Sequence, residues 1–373
     1  MRFFHLYRYF LISVVVSISL TGKIYAQEAD GNDCISAADT VQTSWIYDRY
    51  TAFYNTYRHN PEYLKNEADR LKIRLLSTFQ MPYFTIHPKN DVEKRIKFDS
   101  KPLQYVGADV GWNIFSLGFS WGIDDGHKKN NRRFSFNTYS RFFAITTEIL
   151  WLNNLNISNL EDFVSTDNGA SPEKIALDGA YFRSRSAHLT FFPGGKKMAY
   201  GNTINPVFRQ LKNAGTIITA LGYADYDFHT NIKNIYIANN EWLAELGVNK
   251  INLSKYELGA GYSYNFVAGR HWVLFVSDMV GISAKRYSYE MFLDRIPTEE
   301  TKLGKCNYFR MGTCYYNKDY FIGAHVSHEI DELNTSRFLF NKNNLTAFIY
   351  VGYKFKIDGF NRFVSGLMPG NMP

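Results

Sequence analysis

From about residue 71 almost to the end of the chain, apolar side chains fall at every second position. In Phe115-Ser-Leu-Gly-Phe-Ser-Trp-Gly-Ile123, Phe115, Leu117, Phe119, Trp121 and Ile123 share one face while Ser116, Gly118, Ser120 and Gly122 share the other. That is the division a β-strand makes between its two faces. Tyr256–Phe266 repeats it, with Tyr256, Leu258, Ala260, Tyr262, Tyr264 and Phe266 opposed by Glu257, Gly259, Gly261, Ser263 and Asn265. Leu345–Ile357 does the same, setting Thr346, Gly352, Lys354 and Lys356 against a face of aliphatic and aromatic residues.

The pattern predicts strands at 71–86, 103–112, 115–123, 132–139, 142–151, 183–192, 213–227, 255–267, 271–287, 304–316, 319–329 and 344–357. Short turns at 113–114, 140–141, 268–270 and 317–318 alternate with longer polar stretches at 152–182, 228–254, 288–303 and 330–343. Alternation of this kind marks an antiparallel up-and-down transmembrane β-barrel, with turns on the periplasmic side and loops outside. Such barrels carry an even number of strands. Twelve satisfies that if 193–212 stays on one side of the membrane. Fourteen is the alternative, and it requires both Met198–Thr203 and Asn234–Ala238 to cross. Before the barrel, 45–70 has apolar residues Tyr63, Leu64 and Ala68, followed by Leu71 at its edge, at three-to-four spacing, which predicts a short helical or irregular segment.

A tilted strand needs about 9–11 residues to cross a bilayer, and most of these segments reach that length. In hydrocarbon only a closed barrel leaves no strand edge unpaired. Trp112, Trp121, Trp151, Trp272, Tyr353 and Phe355 lie near strand ends, where interfacial rings belong. Asp109, Glu148, Glu257 and Lys354 fall on the predicted lumenal face. A secreted soluble β-sandwich is the competing all-β reading.

Composition agrees with an alternating chain: 6 Trp, 27 Tyr and 30 Phe accompany a charged fraction of only 21%, yet no apolar run is long enough for a spanning helix. Arg2 and Arg8, the apolar stretch Phe10–Leu20 and Ala26 before Gln27 form a signal-peptide pattern. Cleavage there removes Arg2, Arg8 and Lys23 and no acidic residue, taking the net charge from +7 to +4. That excess is too small for a nucleic-acid partner and suits an anionic lipid surface. The organisation is thus residues 1–26 signal peptide, 27–70 periplasmic or plug segment, 71–357 barrel and 358–373 tail. The architecture implies outer-membrane lipid and the barrel-assembly machinery as partners and the outer membrane as location.

Candidate chemistry is sparse. Ser186 and His188 share a strand face, but i and i+2 side chains stand about 7 Å apart, too far for direct activation. His325, on a face with Ser327 and Glu329, is a candidate base from another strand. Ser186, His188 and His325 are therefore the candidate catalytic residues of a lipid-modifying enzyme. No G-x-S-x-G motif accompanies them. Gly259 and Gly261 belong to a strand and precede no helix, which excludes a phosphate loop. Asp124-Asp125-Gly126 has turn composition. Cys306 and Cys314 lie eight residues apart on one predicted strand, about 27 Å, and cannot pair. Gly31-Asn32-Asp33 before Cys34 lacks the apolar and small residues of a lipoprotein processing site. No cofactor or metal is expected, since no CxxC or His-rich spacing appears.

The chain resembles an uncharacterised family of Gram-negative outer-membrane proteins, DUF4421. The resemblance rests on Gly107-Ala-Asp-Val-Gly-Trp-Asn113 through Leu117-Gly-Phe-Ser-Trp121, on Phe134-Ser-Phe-Asn-Thr-Tyr139, and on Arg183–Phe192 followed by Gly194-Gly-Lys-Lys197. Lys212-Asn-Ala-Gly-Thr216 and Leu258–Trp272 extend it. It covers roughly 71–357, and the segment at 45–70 departs from it. The resemblance implies an envelope barrel and supplies no activity. The expected function is a non-enzymatic binding, transport or structural module of the envelope, with its ligand, if any, open.

Overall fold

The computed structural model describes residues 59–67, 70–89, 95–99, 103–112, 114–123, 131–153, 155–159, 175–177, 179–204, 206–230, 247–291 and 297–356. The predicted signal peptide, Cys34, Asp124–Gly126, Asn234–Ala238 and the C-terminal tail lie outside them. Among the described residues, twelve antiparallel strands close a barrel. They are β1 (Arg70–Pro88), β2 (Leu103–Trp112), β3 (Phe115–Ile123), β4 (Arg132–Tyr139), β5 (Phe143–Asn153), β6 (Tyr181–Phe191), β7 (Ala214–His229), β8 (Val248–Ala268), β9 (Trp272–Met291), β10 (Thr298–Tyr316), β11 (Tyr320–Asn334) and β12 (Phe338–Lys356). Each pairs with its neighbours in sequence, and β12 closes on β1, so no ladder edge is left open to lipid.

Met198–Thr203 is not a strand, which leaves the twelve-strand count. The described part of the 45–70 segment takes the irregular alternative. It is a turn followed by Leu64–Asn66, which pairs antiparallel with Phe208–Gln210. Leu64 is buried there rather than exposed on a helix.

The register carries one set of side chains around the lumen. Arg74 faces Asp109, Asp109 faces Gly118, Gly118 faces Ser135, Ser135 faces Glu148, Glu148 faces Ser186, Ser186 faces Ala224, and Ala224 faces Lys255. The opposite face of these strands is an exposed apolar girdle that includes Leu75, Val106, Leu117, Leu221, Leu258, Ile282, Ile322 and Ile349. Apolar outside and polar inside is the distribution a soluble sandwich avoids and a bilayer requires. Rings meet at the girdle's short-turn edge: Trp272 lies edge-on to Tyr315 at 5.3 Å, and Tyr315 lies 6.2 Å from Tyr320.

Several strands are much longer than a bilayer needs. β8 has 21 residues, β9 has 20, and β1, β10 and β12 have 19 each. Their extra length projects beyond the girdle at the end carrying the long connections, and on β1, β8, β9 and β12 the two faces there exchange polarity with the period of two unbroken, whereas β10 keeps polar Thr298, Glu300 and Lys302 on its inward positions. On β8 the outward residues change from Tyr256 and Leu258 to Asn252 and Lys250, while the inward ones change from Glu257 and Lys255 to Leu253 and Ile251. On β9 the inward change runs from Lys285 to Tyr287 and Tyr289, and on β12 from Lys342 to Phe340 and Phe338.

The inverted segments close over a second core of Phe84, Phe98, Phe182, Phe228, Phe340 and their neighbours. Phe84 and Phe182 are 4.8 Å apart, centroid to centroid. Short strands at Ile96–Asp99, Asn156–Ile157 and Ile175–Ala176 continue the ladder from the end of β1. The expected loop at 330–343 is instead hairpin: β11 runs to Asn334, β12 begins at Phe338, and Thr335 Oγ1 accepts the Phe338 N–H at 2.8 Å. Glu300 of β10 accepts from the hairpin's Ser336 N–H at 3.1 Å and from Tyr287 Oη of β9 at 2.9 Å, tying the hairpin and β9 to β10. Burial acts to raise the Glu300 carboxyl, but the bonds from Ser336 and Tyr287 outweigh it and hold it below its ordinary range.

Candidate functional site

Below the aromatic core, a plug and a charged collar fill the lumen. At the short-turn end, residues 192–212, which join β6 to β7, fold inward as a plug. Ala199 accepts a bond from Asn265 Nδ2 at 3.0 Å, and the Asn202 carbonyl accepts from Tyr316 Oη at 2.7 Å. Tyr350 Oη donates to the Thr203 carbonyl, and Arg74 to the Ile204 carbonyl. The plug backbone is thus held by β1, β8, β10 and β12, as a non-regular segment in a membrane-embedded lumen must be. Phe192, Met198, Tyr200, Val207 and Phe208 pack with Phe275 and Met279 of β9. Gln210 organises the plug, accepting the Ala199 N–H at 2.9 Å and donating to the Lys197 carbonyl at 2.6 Å.

The second layer is a charged collar at the level where polarity inverts. Lys255, wholly buried, lies 3.0 Å from Glu257, 2.9 Å from Asp331 and 3.4 Å from Glu329. Lys342 reaches Glu329 at 2.9 Å and donates to Tyr226 Oη at 3.0 Å, and Lys285 pairs with Asp331. Three lysines therefore meet three carboxylates. Buried charge persists only when paired and hydrogen-bonded in this way. Tyr308 Oη accepts from Lys255 at 2.9 Å and donates to Glu257 at 2.7 Å.

Between plug and collar lies a cavity of about 180 Å³. Ser186, His188 and His325 all line it. His188 Nδ1 lies 2.8 Å from Glu257 Oε1, and its ring meets Tyr308 edge-on at 5.5 Å. His325 is buried and stacks on Phe348 at 4.9 Å, and neither of its ring nitrogens has a hydrogen-bond partner among the described residues. Ser327 and Glu329 line the same space as their shared face with His325 requires, with Glu329 committed to the collar. Two arginine–carboxylate pairs cross the wall, Arg74 to Asp109 at 3.1 Å and Arg133 Nε to Glu148 at 2.7 Å. Cys306 and Cys314 are free and buried on β10.

Of these groups, the collar lysines Lys255, Lys285 and Lys342 and the acid Asp331 are not apparent as a site from sequence. Their signal is the polarity swap on the alternating strands. The plug's signal is weaker: aromatic and aliphatic residues in 192–208 that fit neither a strand nor a solvated turn.

The family described as "Domain of unknown function (DUF4421)" matches residues 56–355. No curated protein matches the chain. Among solved structures, the toluene transporter TodX of Pseudomonas putida is 10% identical, with a TM-score of 0.27 over 79% of this chain and 92% of that one. The translocator domain of the autotransporter NalP from Neisseria meningitidis is 10% identical, with a TM-score of 0.32 over 90% of this chain and 99% of that one. Ail of Yersinia pestis is 9% identical, with a TM-score of 0.22 over 76% and 98%.

Proposed function

The chain belongs to the DUF4421 family, and from that premise we propose that it is an outer-membrane barrel that conducts no ions and serves as a binding module of the bacterial envelope. The observation that carries this reading is the filling of the lumen from both ends, by the 192–212 plug and by the aromatic core above the collar. Barrels of about eight strands are filled by side chains and those of 16 or more hold water; at twelve, this one spends its extra width on a plug. The short-turn end is periplasmic and the inverted strands project outward from the cell. Cleavage after Ala26 and insertion by the barrel-assembly machinery complete the proposed route.

Reconstituted in planar bilayers, the folded protein is expected to show no stepwise conductance. In cells it should fractionate with outer membranes, resist salt extraction and migrate differently on gels before and after boiling. Steady unitary conductance removes the binding-module reading, and recovery as a soluble periplasmic or secreted protein removes the barrel location.

A lipid-modifying enzyme is the second reading, favoured by the shared cavity of Ser186, His188 and His325 and by the contact of His188 with Glu257, which resembles the carboxylate that orients a catalytic histidine. It predicts loss of esterase activity and an altered envelope lipid profile in His188→Ala and His325→Ala. Unchanged lipid and esterase readouts in both variants eliminate it.

A further inference from the structure

We propose that the cavity between plug and collar is a binding site for a small oxyanion, a carboxylate or phosphate, held by Arg310 and His325. The proposal deepens the binding-module reading and rests on it. Every carboxylate lining the cavity already has a cation: Asp109 has Arg74, Glu148 has Arg133, and Glu329 has Lys342 and Lys255. Arg310 is the exception on the positive side. Its Nη1 donates to Tyr200 Oη at 3.3 Å, and no carboxylate lies within ion-pair distance among the described residues.

Arg310 is half-buried; a guanidinium partly withdrawn from water without an anion is costly, and a guanidinium fork matches the geometry of two oxyanion oxygens. His325 supplies the independent observation. It is 3% exposed, lines the same cavity, and both ring nitrogens lack a partner. Buried polar groups are ordinarily bonded, so a histidine left open on a polar cavity points to a ligand. Thr78 Oγ1 and Arg74 Nε, also buried and without partners, line the cavity too. Three arginines therefore surround a space whose free groups are mainly donors.

Volume limits the ligand. A void of about 150 Å³ accommodates a benzene-sized molecule and one water takes about 30 Å³, so 180 Å³ holds a small oxyanion with a water or two and excludes a nucleotide. Tyr200 belongs to the plug, so the anion would share Arg310 with it, and occupancy would be felt at the periplasmic closure.

The test is isothermal titration of the folded barrel in detergent, with sodium phosphate and sodium acetate as separate probes and sodium chloride as the ionic-strength control. Expected is saturable binding of phosphate or acetate, but not chloride, below about 10 mM. Phosphate binding alone identifies a phosphate-type ligand and acetate binding alone a carboxylate. Arg310→Gln and His325→Phe should each weaken it about tenfold or more, Arg310→Lys should retain part of it, and the outward-facing Lys305→Gln should leave it intact. Each variant is first checked for the boiling-dependent gel shift, and Arg310→Lys and His325→Gln replace any variant that fails to fold. No saturable binding to the folded wild type overturns the proposal, as does binding unchanged in folded Arg310 and His325 variants. A silent barrel that binds neither probe loses this inference alone, whereas a conducting barrel loses the reading beneath it.

Discussion

Replacing Lys255 with methionine is expected to destabilise the folded barrel by about 3–5 kcal/mol, the cost of removing one partner from a buried ion pair. Lys255 is fully buried and, among the described residues, is the one cation within reach of Glu257, Glu329 and Asp331 together. Its loss leaves Lys285 and Lys342 facing three carboxylates in a place that water does not freely enter. The hydrogen bond to Tyr308 Oη goes with it.

Pairing the change with Glu257→Gln restores the balance at two cations and two anions, so the double variant should cost less than Lys255→Met alone. The measurement is the urea midpoint of detergent-folded protein, read by tryptophan fluorescence, in a double-mutant cycle. Purely additive losses would show that the two residues are not coupled through the collar. A neutral Lys255→Met would show that the collar is solvated.

The second large effect is expected at Gly195. A Cβ added there would overlap the Arg141 carbonyl oxygen outright and would stand 2.5 Å from the Arg141 carbonyl carbon and 3.3 Å from the Phe142 nitrogen. These are backbone atoms of the β4–β5 turn, and they cannot swing aside as a flexible side-chain end can. Gly195→Ala must shift either that turn or the start of the plug, where Gly194 N donates to Thr216 Oγ1 at 2.9 Å. Destabilisation of about 3 kcal/mol is expected, at the upper end for overpacking.

Gly269 provides the contrast. It has φ of +63° in the β8–β9 turn with nothing near its missing Cβ, so Gly269→Ala meets only the left-handed backbone penalty of about 1–2 kcal/mol. Urea midpoints of the two variants, with proteolysis of the plug as a second readout, separate a packing clash from backbone strain. Equal midpoints with the plug equally protected would refute the assignment of Gly195 to a tight backbone crossing.

The strands that the sequence reveals and those it conceals differ for one physical reason. Three strands have their observed ends within a residue of the alternating pattern: 103–112, 115–123 and 132–139. These short strands keep one polarity throughout. β8, β10 and β12 begin six or seven residues before the pattern first declares them, and β9 and β11 run four or five residues past it. On β8, β9, β11 and β12 the concealed stretches are the inverted ones, while the start of β10 is polar on both faces as far as the exposed Leu303. A reader following apolar residues on one face sees that face turn polar at Ser254 or Asn343 and takes the strand to end, although the backbone continues.

By itself, the sequence determined the barrel, its parity, its lumenal face and the placement of Ser186, His188 and His325 on that face. These follow from local alternation, which a bilayer outside and polar groups inside impose on every strand alike. Tertiary structure decided the rest. The register brings Lys255 of β8, Lys285 of β9, Asp331 of β11 and Lys342 of β12 to one level, and the closing pair of β12 with β1 encloses them. The plug depends on carbonyls meeting Asn265, Tyr316 and Tyr350 from strands far along the chain. Such contacts have no period in the sequence. They exist only once closure has brought distant strands around the same lumen, where each buried polar group must find its partner in whatever segment lies opposite.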